Sequence, residues 1–220
     1  MGETRNLLRL MTWLSPTFPV GGFNYSHGLE QAVAQGLVTD AAALQDWILA
    51  LVSCGSAWND AVLLAEAWRG AASGQDLAAV SELAEALAGS AERHLETMNQ
   101  GSAFLAAASA WPLPVHQRLG GAAAWPVAVG AVAGASGIEL EQALAAFLHA
   151  FAANQVQAGL RLMPLGQTAG VAVMAAVEAE IGAVAWRASH STLDDLGSAA
   201  LNVEIAAMNH ETLNSRIFRT

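Results

Sequence analysis

Leu14-Ser-Pro-Thr-Phe-Pro-Val-Gly-Gly-Phe-Asn-Tyr-Ser-His-Gly-Leu-Glu30 is the one long run of this chain whose residue choices neither helix nor strand formation explains. Pro16 and Pro19 each lack an N–H and bias the preceding residue away from the α region, so the chain runs extended after Leu14. Gly21 and Gly22 then permit a sharp reversal or a positive φ. Phe18, Phe23 and Tyr25 are large for a linker, and aromatic burial is expected to pin the loop to the body. Ser26 is placed to cap a helix starting near His27. Shape alone fits both a packed interhelical connection and a recognition loop.

On both sides of this loop the apolar spacing is helical. Arg5–Leu14 carries apolar residues at 7, 8, 10, 11 and 14, and Ser15-Pro16 ends that face. His27–Gln35 reads as a short helix closed by Gly36. Asp40 caps the next, with Leu44, Trp47, Ile48 and Leu51 inward and Gly55 at its end. Further stripes follow: Trp58, Val62, Ala65 and Trp68; Leu77, Val80, Ala84 and Leu87 after Asp76; Leu95, Met98 and Leu105 after Ser90. Pro112-Leu113-Pro114 is a rigid break. Trp125–Ala135, Glu139–Leu160, Gly166–Arg187 and Leu193–Met208 complete the pattern, with Pro126 tolerable in a first turn. No two-residue alternation persists, and the Ala-rich segments share no fixed period. The expected fold is all-α: one domain over residues 1–220, a bundle of about nine or ten helices.

With 220 residues, such a domain buries a substantial core without staples. The single Cys, Cys54, excludes an internal disulfide framework and reads as a buried, inert thiol. Formal net charge is −10, and all nine basic residues are Arg. Without Lys the chain has neither a P-loop cation nor a Schiff-base amine, and without basic clusters it is not built to follow a phosphate backbone. Hydrophobic content is 54% and mean hydropathy +0.38, so membrane spans have to be considered. Leu119–Ile138 is mostly Ala, Val and Gly, and Leu162–Val177 is short and broken by Pro and Gly; both are expected to be buried helices instead. No basic n-region with an apolar core and small-residue cleavage site is present, and a cytoplasmic protein is expected.

The residues that usually carry chemistry are dispersed. His27, His94, His116, His149, His190 and His210 stand singly, with no His-x-His or His-Glu-x-x-His pattern. Glu139/Glu141, Glu178/Glu180 and Asp194/Asp195 sit near helix starts or on polar faces, where solvated charge explains them. No Ser lies in a Gly-x-Ser-x-Gly elbow. No catalytic, cofactor-binding or metal-ligating residue is therefore assigned. Arg161, flanked by Leu160, Leu162 and Met163, either pairs internally, with Glu30 as the candidate, or faces a partner. The segment Asn209–Thr220 is too short of apolar residues to fold alone, so it frays or docks; Arg216, Ile217, Phe218 and Arg219 favour docking.

Three blocks carry a family resemblance. Ser-Pro-x-x-Pro-x-Gly-x-Phe-x-Tyr-Ser-x-Gly-Leu-Glu (Ser15–Glu30) resembles the N-terminal signature of the UreF family of urease accessory proteins. Arg161-Leu-Met-Pro-Leu-Gly-Gln-Thr168 is similar to an internal run of that family. Ile205-Ala-Ala-Met-Asn-His-Glu-Thr212 with Ser215-Arg-Ile-Phe-Arg219 is similar to its C-terminal segment. Asn24, Asn209 and Leu213-Asn214 depart from the usual Ser, Arg and Gln-Tyr. The resemblance implies a non-catalytic factor in nickel insertion into urease: a homodimer that binds UreD (also called UreH) and recruits or regulates the GTPase UreG at the urease apoenzyme. The partner-binding residues it suggests are Pro19, Gly21, Phe23, Tyr25, Ser26, Gly28 and Glu30 in the loop. Arg161 and Gln167 in the internal run, and His210, Glu211, Ser215 and Arg216 in the tail, complete the set. A small-ligand enzyme whose acidic residues converge only in the fold is the alternative.

Overall fold

The computed structural model describes residues 2–220 and contains eleven α-helical segments, with no strand among the described residues. These are α1 (Gly2–Trp13), α2 (Leu29–Ala34), α3 (Ala41–Cys54), α4 (Ser56–Ser73), α5 (Ala78–Ala86), α6 (Ala91–Ala108), α7 (Val115–Arg118), α8 (Trp125–Ala135), α9 (Leu140–Leu162), α10 (Gln167–His190) and α11 (Leu201–His210). Short 3-10 turns occupy Gly22–Asn24 and Leu193–Asp195. The all-α expectation holds.

α8 lies at the centre, buried along most of its length, with α4 and α6 as its main neighbours. Gly130 and Gly134 make the α4 contact possible: a Cβ on either would collide with the backbone carbonyls of Leu64 and Trp68. Removing side chains at a one-turn spacing lets two helices approach backbone to backbone. α9 packs on α10, and α10 on α3, forming the opposite side. Trp13, Phe104, Trp111 and Trp125 join α1, α6 and α8 through edge-to-face pairs, with Trp13–Trp111 centroids 5.5 Å apart and Phe104–Trp125 5.2 Å.

Several caps follow the sequence reading. Asp40 accepts from the Ala43 N–H at 2.9 Å, and Ser90 from Arg93 at 3.1 Å. Five expectations are corrected. The helix expected from His27 begins at Leu29, because His27 and Gly28 both have positive φ, 51° and 78°. Leu193–Met208 is not one helix. Its middle donates backbone hydrogen bonds elsewhere, Ala199 to the Cys54 carbonyl and Gly197 to Asn59 Oδ1, both 2.9 Å. The Pro112–Pro114 break is followed by a further single turn, α7. Leu87 and Leu95, expected inward, are exposed. Cys54 is half-buried, its thiol on the Ala50 carbonyl.

α8 is internal except at its ends, Trp125 and Ala135. α10 and the α3–α4 stretch have the length and composition of membrane-crossing segments, but α3 and α4 are two helices meeting at Gly55 and are mostly buried. α10 is only one-third buried, which corrects the expectation of a buried helix over Leu162–Val177: Leu162 ends α9, residues 163–166 are non-helical, and Val171 of α10 is exposed.

Candidate partner-docking site

The C-terminal tail docks, and it docks on the Pro/Gly loop. Residues 24–26 and 219–220 run beside each other: Arg219 N–H donates to the Asn24 carbonyl at 2.8 Å, and Ser26 N–H to the Thr220 carbonyl at 3.0 Å. The Ser26 hydroxyl donates to that same carbonyl. Phe218 is buried next to Arg161, whose guanidinium carbon stands 4.3 Å above the ring. Arg161 also donates to the Phe23 carbonyl at 2.9 Å, so it clips loop and tail together. The expected Arg161–Glu30 pair is absent; Arg161 is exposed, and Glu30 serves other donors.

Glu30 is the hub. Its Oε1 accepts from the Ile217 N–H at 2.7 Å, and its Oε2 from the Phe218 N–H at 2.9 Å and from His210 Nε2 at 3.0 Å. His210 has no exposed surface, and its Nδ1 meets Glu92 Oε2 at 2.7 Å. Carboxylate oxygens only accept, so the imidazolium, donating from both nitrogens, is the form that satisfies this geometry. Arg216 closes on the other oxygen of Glu92, and Glu211 accepts from the Ala91 N–H at the start of α6.

A second layer lies on α6. Glu96 meets His27 Nε2 at 2.9 Å, and it accepts from Gln100 at 3.0 Å and from the Thr220 hydroxyl at 3.2 Å. Arg93 stands between Glu96, 3.6 Å away, and Asp60 of α4. Burial pushes the Glu30 carboxyl up, but hydrogen bonds from His210, Ile217 and Phe218 outweigh it and hold the group below its ordinary 4.5. Glu96 is likewise held down against burial, by the charges of His27 and Arg93. Burial alone would favour loss of the Arg93 proton, and the adjoining carboxylates Asp60 and Glu96 reverse that.

Gly28 is where the loop meets α11. A Cβ there would lie 2.7 Å from Ala207 N, and the φ of 78° disfavours any other residue. Tyr25 is buried as expected, and Phe18 packs on Phe104, centroids 5.7 Å apart. Phe23 corrects the expectation of a buried anchor: it is 63% exposed. The loop contacts the body there through Gly22, packed on Asn154, rather than through the aromatic ring.

Of the residues the sequence singled out, Ser26, Glu30, His210, Glu211 and Arg216 join one network, Gly28 supports it, and Arg161 and Phe23 are linked at its edge. Pro19, Gln167 and Ser215 are exposed and make no side-chain hydrogen bond; Gly21 contributes a turn at φ 72°. Sequence reasoning missed His27, Asp60, Glu92, Arg93, Glu96 and Thr220. The available signal was polar residues at 92, 93, 96, 97 and 100, one-turn spacings that give a single α6 face. The acidic residues do converge, as the enzyme alternative required. Most of their oxygens are occupied by structural donors, and among the described residues no group of three or more His, Cys, Asp or Glu is placed to hold a metal.

Residues 38–178 match the model of the UreF family. A urease accessory protein UreF of Brucella ovis is 60% identical over 217 residues, covering 99% of this chain and 95% of its own. One from Rhizobium etli is 59% identical over 218 residues, covering 99% and 98%. The chain belongs to the UreF family of urease accessory proteins. The relatives' near full-length coverage takes in both loop and tail, which the family model's 38–178 span does not reach. UreF relatives are named as accessory proteins, in agreement with a non-enzymatic chain.

Proposed function

We propose that this chain is a non-catalytic scaffold in urease maturation, acting in the cytoplasm. It binds UreD/UreH through the tail–loop face and recruits or regulates the GTPase UreG while nickel is inserted into the urease apoenzyme. One observation carries the reading: an acidic, multiply bonded clamp holds the tail against the loop and leaves an apolar stripe exposed beside it. Leu201, Ile205 and Met208 on α11, spaced i, i+4, i+7, are each about half exposed or more, and Ile217 of the tail is exposed too. An exposed apolar set rimmed by charge is what a partner-binding surface requires.

A homodimer is part of the proposal. Leu7 and Met11 of α1, Phe23 of the loop, and Ala146 and His149 of α9 line an open groove of about 960 Å³. A second copy placed there would cover the exposed side chains of α1 and Phe23. The test is capture of purified UreD and UreG by the tagged chain, with GTP hydrolysis followed in both cases. Capture of both partners supports the scaffold, and capture of neither removes it.

A further inference from the structure

Beneath α11, bordered by His27, Asp60, Arg93 and Thr220 of the clamp's inner layer, lies a cavity of about 370 Å³ between α4, the α5–α6 turn, α6 and the 196–200 segment. Pockets of roughly 300–1,000 Å³ hold organic groups rather than bare ions. Leu63 and Leu87 supply apolar wall, and Asp60, Arg93 and Glu204 supply charge. Asp60 is more than nine-tenths buried; its Oδ2 is taken by Arg93, and its Oδ1 has no hydrogen-bond partner. Glu204, half-buried on α11, has neither an ion pair nor a hydrogen bond on its side chain. Burial pushes the Asp60 carboxyl up beyond what the charges of Arg93 and His27 offset, and Glu204 is the pocket carboxylate without a cationic partner. Its mouth is apolar: Leu87 and Met208 line it and are exposed, and Met208 continues into the Ile205–Leu201 stripe.

We infer that this cavity receives an arginine side chain presented by a partner protein. The methylene stem packs on the apolar wall, and the guanidinium meets Asp60 Oδ1 and Glu204. Arginine fits better than lysine because a planar fork serves two carboxylates at once and is less hydrated than an ammonium. The apolar apron around the mouth argues for a protein-borne side chain, since a free cation makes no use of it. The inference rests on the reading of the chain as a partner-binding protein and adds a specificity pocket to it.

The test titrates the isotope-labelled full chain with the capped peptide Leu-Arg-Leu, its citrulline counterpart and capped arginine, followed by amide NMR. The arginine peptide is expected to shift Asn59, Glu204 and Ala207. Affinity should fall at least tenfold for citrulline, which keeps shape and loses charge, and at least tenfold for Glu204→Gln. Equal affinity of the two peptides, or shifts confined to other surfaces, overturns the pocket. Capped arginine binding as tightly as the peptide overturns the protein partner, leaving a small-cation site. If the same preparation still captures UreD and UreG while the peptide fails, the pocket alone falls; if capture fails as well, the scaffold reading falls with it.

Discussion

Glu30 holds the tail with three hydrogen bonds, two of them from backbone N–H groups of residues 217 and 218. Because its folded-state pKa, like that of Glu96, lies below the ordinary 4.5, each stabilises the fold while unprotonated. That contribution is fully present above 4.5 and disappears as pH falls through the lowered folded-state values. Thermal unfolding measured in a series of acidic buffers should therefore show stability falling below pH 4.5, with a shallower fall in Glu30→Gln; parallel curves for the two proteins would disprove the role given to Glu30. His210→Ala leaves Glu30 and Glu92 facing each other without their shared cation, and urea unfolding should register a loss of about 3 kcal/mol or more. Arg216→Ala, on a side chain 40% exposed, should cost only about 1 kcal/mol and lose most of that in high salt. Two glycines separate strain from collision. Gly21→Ala has 3.4 Å to its nearest neighbour and should cost about 1 kcal/mol from φ alone, whereas Gly28→Ala also meets the α11 backbone and should cost clearly more.

At the scale of elements, α3 and α9 were legible because cap, apolar positions and stop signal agree in each, and α8 because it is apolar on every side with Pro126 in its first turn. Where the sequence misled, a neighbouring element took the backbone bonds. The spacing of Leu193, Leu196, Ala200 and Val203 suits a helix, yet Asn59 and the Cys54 carbonyl hold Gly197 and Ala199 in an extended link. The candidate site was half legible. Its loop and tail carry family-specific residues, but Glu96 and Asp60 look like ordinary helix-surface charges until His27, Arg93 and Thr220 are brought to them from elsewhere. Ser26 and Thr220 lie 194 positions apart, and no local pattern encodes their pairing. Removing Ser215–Thr220 should leave far-UV ellipticity near wild type, since no α-helix is lost. It should also increase hydrogen exchange at Tyr25–Glu30, whose partners are gone; unchanged protection there would mean the clamp does not order the loop.

For the whole molecule, the charged clamp lies next to part of the exposed apolar surface. A chain of net charge −10 with nine Arg and no Lys places two of its Arg, 93 and 216, in the clamp and one, Arg161, against the tail. Exposed apolar side chains lie on α1 (Leu7, Leu8, Met11), on α11 (Leu201, Ile205, Met208) and at Phe23, with Leu37, Leu87, Leu95, Val171, Trp186 and Ile217 exposed elsewhere. Leu7→Asp with Met11→Asp alters residues already more than half exposed, so folding should survive while sedimentation shifts from dimer to monomer. A variant that remains dimeric would move the self-contact away from α1. The central claim, that the docked tail and loop form the partner surface, is tested most directly by isothermal titration of purified UreD into the full chain and into the form lacking Ser215–Thr220. The expected result is binding by the full chain and at least a hundredfold weaker binding by the truncated one at equal helical content; equal affinity of the two would contradict the account.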